Sequence, residues 1–106
     1  MDFGEYMRSL RTTKNMKQLQ LAQAAELSTP YLSGIEKGKV PPPSEEVLIR
    51  LAVALGEDPY SFTVKAGKVP AAFQEIICND AETFKYFRRK IKNQHSKIPG
   101  DNEGSL

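Results

Sequence analysis

The chain has no tryptophan, one cysteine (Cys78) and one histidine (His95) among its 106 residues. A lone cysteine excludes an intrachain disulfide and a cysteine-based zinc site, and a single histidine beside it supplies no metal cluster. No metal or other cofactor is expected, and the thiol usage fits a reducing cytoplasm. Long apolar runs are missing as well. None approaches the roughly 20 residues that span a bilayer, and the start, Met1-Asp2-Phe3-Gly4-Glu5-Tyr6, lacks the basic-then-apolar pattern of a leader. No membrane association is expected. Catalysis lacks its parts too: His95 stands alone near the end, and there is no glycine-rich phosphate loop, so the chain reads as non-enzymatic. Cys78, beside Ile76 and Ile77, reads as a small core residue, and His95 as a solvated one.

What is present describes an ordinary globular chain, with 40% hydrophobic and 26% charged residues. Fifteen basic residues against 13 acidic ones leave a formal charge of only +2. The distribution is more informative than the sum. Residues 81–97 carry six Lys/Arg against the single carboxylate of Glu82. A polyanionic partner would feel that segment first.

Apolar residues recur at spacings of three and four, which predicts an all-α protein. Phe3, Met7 and Leu10 mark the buried stripe of a first helix ending near Lys14. Leu21, Ala22 and Ala25 mark a short second helix from about Lys17. Leu32 and Ile35 mark a third, from about Thr29 to Lys37, stopped by Gly38. Helices this short are marginal alone and must be held by packing. Lys39-Val40-Pro41-Pro42-Pro43 is a stiff non-helical connector, because consecutive prolines remove donors and fix extended dihedrals. Ser44 then reads as the N-cap of a fourth helix, with Glu45 and Glu46 in its first turn. Its apolar face is Val47, Leu48, Leu51 and Leu55, and it ends at Gly56. Asp58-Pro59 starts a fifth helix that Gly67 closes.

Pro70 opens a sixth helix carrying Phe73, Ile76 and Ile77, and Asn79-Asp80 interrupts it. A seventh, Ala81 to about Asn93, sets Phe84, Phe87 and Ile91 on one face, with Lys85, Arg88, Arg89 and Lys92 over the rest. The expected organisation is a domain over residues 1–68, a two-helix extension over 69–94 and a disordered tail over 95–106.

The segment from Gln18 to Gly38 carries the functional signal. Ala22 is small enough for two steeply crossed helices to approach closely, while Leu21, Ala25, Leu27, Leu32 and Ile35 fill the angle between them. That is a helix-turn-helix pattern. By itself it also describes a helical pair that only packs, but its neighbours extend it. These are Leu10-Arg11 at the end of the first helix, Gln18 opening the second, and Ser28-Thr29-Pro30-Tyr31-Leu32-Ser33 with Ile35-Glu36 and Gly38 across the third. Pro42-Pro43-Ser44 in the connector and Leu51-Ala52 with Ala54-Leu55-Gly56 in the fourth complete them.

Over residues 3 to about 67 these motifs resemble the Xre family, the Cro and phage-repressor type of helix-turn-helix regulators. The resemblance implies a five-helix DNA-binding domain, usually dimeric, acting as a cytoplasmic transcriptional regulator, with repression the expected sign. Glu26 departs from the pattern, since that turn position is often glycine. A left-handed backbone there costs a non-glycine residue roughly 1 to 2 kcal/mol.

A helix-turn-helix lays the N-terminal part of its second helix in the major groove. Ser28, Thr29, Pro30, Ser33 and Gly34 are therefore the expected base-facing positions. They are small, and none makes the bidentate pairs by which Arg reads guanine or Asn and Gln read adenine. Lys17, Gln18, Tyr31, Lys37 and Lys39 are the expected phosphate contacts, Tyr31 through its hydroxyl or else only packing its ring at the domain edge. Sequence preference should lean partly on DNA shape. Arg11 and Glu36 read as a structural ion pair joining the first helix to the third. Phe73, Ile76, Ile77, Phe84, Phe87 and Ile91 are expected to pair with a second copy, giving a homodimer on double-stranded DNA. The alternatives are that these helices fold back on the domain, or that the chain is a protein-binding adaptor such as an antitoxin, docking a second protein there.

Overall fold

The computed structural model describes residues 2–94, so the expectations for His95 and for a disordered tail over 95–106 lie outside the described residues. Among the described residues seven helices follow one another: α1 (Phe3–Thr13), α2 (Gln18–Ala24), α3 (Thr29–Glu36), α4 (Glu45–Leu55), α5 (Pro59–Lys65), α6 (Ala71–Asn79) and α7 (Ala81–Asn93). Among the described residues there is no strand, and no helix is long and apolar enough to cross a membrane.

Several helices begin where a side chain satisfies amides that have no partner within the helix. The Asp2 carboxylate accepts from the Glu5 amide at 2.9 Å to start α1, and the Asp58 carboxylate accepts from the Ser61 amide at 3.0 Å to start α5. At α2 the roles reverse: the Lys17 amide donates to the Gln20 side-chain oxygen at 2.7 Å. Ser44 stands at the cap position of α4 with extended dihedrals, yet its hydroxyl makes no capping bond. The start of α4 is instead supported by Glu45 and Glu46 at the positive end of its dipole. The positive φ angles of Gly38 and Gly56, 70° and 71°, reverse the chain after α3 and α4.

The chain divides into two compact units between Pro70 and Ala71. In the first, five helices enclose one core. Met7 of α1, Leu21 and Ala22 of α2, Leu32 and Ile35 of α3, Leu48, Leu51, Ala52 and Leu55 of α4 and Phe62 of α5 are each no more than 2% exposed. Each large side chain in that set contributes about 1.5 to 3 kcal/mol by leaving water, which is what holds seven- and eight-residue helices in place. Phe3 and Tyr6 extend the core sideways, their rings 5.2 and 6.0 Å from that of Phe62.

The second unit is the α6 and α7 pair, packed on each other. Asp80 caps α7, accepting from the Thr83 hydroxyl and, at 3.0 Å, from the Thr83 amide. Those two bonds hold its carboxyl below the usual carboxylate range. Neither helix contains a buried residue. Cys78 is accordingly exposed, and its expected place in a core is corrected: two helices form one contact seam, too little to enclose a side chain away from it.

Candidate nucleic-acid interface

The interface begins with how α3 is held. Arg11 donates from Nε and Nη2 to the two carboxylate oxygens of Glu36, at 2.7 and 2.9 Å, in a bidentate pair. Arg11 and Glu36 are only 8% and 7% exposed. Arg11 Nη1 donates to the Met16 carbonyl at 2.8 Å, so one guanidinium joins α1, the α1–α2 turn and the C-terminal end of α3. Glu36 in turn holds the Arg11 guanidinium above its ordinary pKa, against the opposing effect of burial. Gln18 completes the cluster, its amide donating to Glu36 Oε1 at 3.1 Å. Gln18 is thus tied inward, although the sequence marks it only as a phosphate contact. Its remaining N–H and its oxygen are what a phosphate or water would meet.

A second clamp acts on the turn. Arg50 of α4 donates to the Ala25 carbonyl at 2.9 Å, while the Leu27 amide donates to the Ala22 carbonyl at 2.8 Å. Between them Glu26 takes φ 59°, the left-handed conformation that its usual glycine would adopt freely. The turn keeps this conformation with Glu26 in place, flanked by buried Ala25 and half-buried Leu27.

α3 starts at Ser28, whose hydroxyl accepts from the Tyr31 amide at 3.2 Å. Pro30 in the first turn lacks an amide that would have gone unpaired there anyway. Leu32, Ile35 and Glu36 turn inward. Ser28 and Pro30 are exposed, and Thr29, Tyr31, Ser33 and Gly34 are half-buried. Thr29, Ser33 and Lys37 follow one another at four-residue intervals, one row along the helix. Lys17, Lys37 and Lys39 are all exposed.

Two of the expected contact positions also have packing partners within the domain. A Cβ on Gly34 would meet the Val40 methyls at 3.4 and 3.6 Å, so Gly34 lies against the connector. The Tyr31 ring packs against the core at its edge. Gly4 was not singled out by the sequence. A Cβ there would lie 2.5 Å from the Ile35 carbonyl oxygen and 2.6 Å from that of Glu36, so the first turn of α1 touches the backbone of α3. Its one available signal was a glycine inside a helix, where glycine is disfavoured unless close approach requires it.

A family model described as a helix-turn-helix domain matches residues 2–60. An HTH-type transcriptional regulator of Mycobacterium tuberculosis is 39% identical over 64 residues, covering 60% of this chain; the chain spans only 45% of that relative's length. The restriction-modification controller protein C.AhdI from Aeromonas hydrophila is similar in structure, with a TM-score of 0.53 and 35% identity over 57% of this chain and 89% of its own. The clp gene regulator ClgR from C. glutamicum gives a TM-score of 0.53 and 32% identity over 61% and 83%. A SinR protein/SinI protein complex shares the fold over 88% of this chain and 94% of its own, with a TM-score of 0.54 and 21% identity. Matched over more than half its length and built around a buried α2–α3 pair, the chain belongs to the helix-turn-helix domain family, of the Xre or Cro and phage-repressor type.

Proposed function

We propose that the chain is a sequence-reading DNA-binding regulator of transcription, acting as a repressor, in which α3 enters the major groove of each half of an inverted repeat. The observation that carries this reading is the two-sidedness of α3. Its inner side is locked by Leu32, Ile35 and the Arg11–Glu36–Gln18 cluster, and its outer side offers the small polar groups of Ser28, Thr29 and Ser33, with lysines at its end. A groove-reading helix needs both a fixed register and an outer surface slim enough to reach base edges. Thr29 and Ser33 hydrogen-bond bases or meet thymine methyls, while Lys17, Lys37 and Lys39, with Gln18 and the Tyr31 hydroxyl, contact phosphates.

The two-helix extension supplies the dimer in this reading. Phe73, Ile76, Phe84, Phe87 and Ile91 are 38% to 52% exposed in the single chain, with Ile77 half-buried among them. A second copy would cover a row of aromatic and branched side chains of that size. The competing reading, an adaptor that docks another protein on the same helices, has in its favour only that exposure and the protein complex formed by a distant fold relative.

Two substitutions test the proposal. Ser33→Ala should flatten preference at one base pair of each half-site by roughly 1 to 3 kcal/mol, whereas Lys39→Gln should weaken all DNA alike. Weak binding with no sequence preference in the parent chain would favour the adaptor.

A further inference from the structure

We propose that Lys85, Arg88, Arg89 and Lys92 on α7 form a second phosphate-binding surface for duplex DNA, distinct from the helix-turn-helix. The choice of DNA as the polyanion rests on the function proposed above; the surface itself rests on α7. The four residues are spaced i, i+3, i+4 and i+7, so they form one stripe about 10 Å long on one side of the helix. Together they line one shallow concavity of about 250 Å³. The residues of α7 include one carboxylate, Glu82, one turn before Lys85 at the near end of the stripe.

The helix dipole accounts for only part of this arrangement. The helix dipole favours Lys90 and Lys92 in the last turn but not Lys85, Arg88 or Arg89. Within the stripe every i,i+3 and i,i+4 neighbour has the same charge, which works against the helix. Cations placed at a cost to their own helix are explained by an anion that gathers them. Two of the four are arginines, whose forked donors match phosphate oxygens. Arg88 is also steadied, its guanidinium carbon 5.9 Å from the centre of the Phe84 ring.

Position on the helix selects DNA over a lipid surface. The stripe is centred about 120° round α7 from the arc of Phe84, Phe87 and Ile91. If that arc is covered by a second copy, the stripe remains open to a rigid polyanion, while a bilayer would require the same arc to be inserted in lipid. A duplex carries a charge every roughly 1.7 Å along its axis, so the stripe spans several phosphates.

The test uses the full chain carrying K85Q, R88Q, R89Q and K92Q together, bound to a random-sequence duplex over a range of salt. Each phosphate contact contributes about 0.9 to the slope of log affinity against log salt, so the slope should fall by between about 1 and 3.6. Lys90→Gln, on the same helix but off the stripe, should leave the slope unchanged. Circular dichroism and sedimentation should show parental helicity and association state. If the fourfold variant does not fold, Lys85→Gln with Lys92→Gln should still lower the slope, by up to about 1.8. Site preference should survive in the stripe variants. If the parent shows no preference but its slope depends on the stripe, the α3 reading fails and the stripe stands. An unchanged slope in the folded stripe variants overturns the proposal. So does loss of binding to phosphatidylserine vesicles in those variants without any loss on DNA.

Discussion

Glu36 accepts three hydrogen bonds where its side chain is only 2% exposed, from Arg11 Nε, Arg11 Nη2 and Gln18 Nε2. Removing one partner of such a pair is costly, because the other charge stays buried without compensation. Arg11→Met should therefore lower unfolding stability by about 3 to 5 kcal/mol, read from the urea midpoint. Adding Glu36→Met should recover much of that loss, because neither charge is then buried. A single variant with an unchanged midpoint and weakened DNA binding would move Arg11 to the contact surface. Gly4 makes a second demand at the same junction. Gly4→Ala inserts a methyl 2.5 Å from the Ile35 carbonyl, a backbone atom unable to turn aside, and should cost about 1 to 3 kcal/mol in the same measurement.

At the scale of the element, α3 depends on a cap that also stands on its outer surface. Ser28→Ala removes the bond to the Tyr31 amide and should cost about 0.5 to 2 kcal/mol of stability. Ser28→Asp keeps an acceptor at the cap and adds a charge that the helix dipole favours, so thermal stability should be kept. The same charge facing phosphates should cut DNA affinity on every sequence. Equal affinity of Ser28→Asp and the parent would mean that the start of α3 does not approach DNA.

The helices were largely legible in the sequence because their signals are local. Asp58-Pro59, Ser28 with Pro30, Gly38 and Gly56 act within a turn of where they stand. The features that the sequence does not reveal depend on distant partners. Gln18 is tied to Glu36, 18 residues away, and Gly34 lies against the connector at Val40. Cys78 shows the same limit: its apolar neighbours in sequence do not bury it, since neither α6 nor α7 holds a buried residue.

For the whole molecule, every buried apolar side chain among the described residues lies within the first compact unit, from Met7 to Pro70. A chain ending at Pro70 should therefore keep its helical signal and cooperative melting. If α6 and α7 form the subunit interface, that chain should also be monomeric by sedimentation. Its affinity for a two-half-site operator should fall by at least tenfold, since the half-sites no longer reinforce each other through one rigid pair. A truncated chain that remained dimeric would place the interface on the first unit.

The most direct test of the account is selection of bound sites from random DNA by the full chain. An α3 that reads the groove from each half of a dimer predicts an enriched inverted repeat, its half-sites centred about 34 Å apart or at a multiple of that spacing. That repeat should lose its enrichment when the selection is made with Ser28→Asp. Recovery of no repeat, or of the same repeat with parent and variant alike, would contradict the claim that α3 reads DNA.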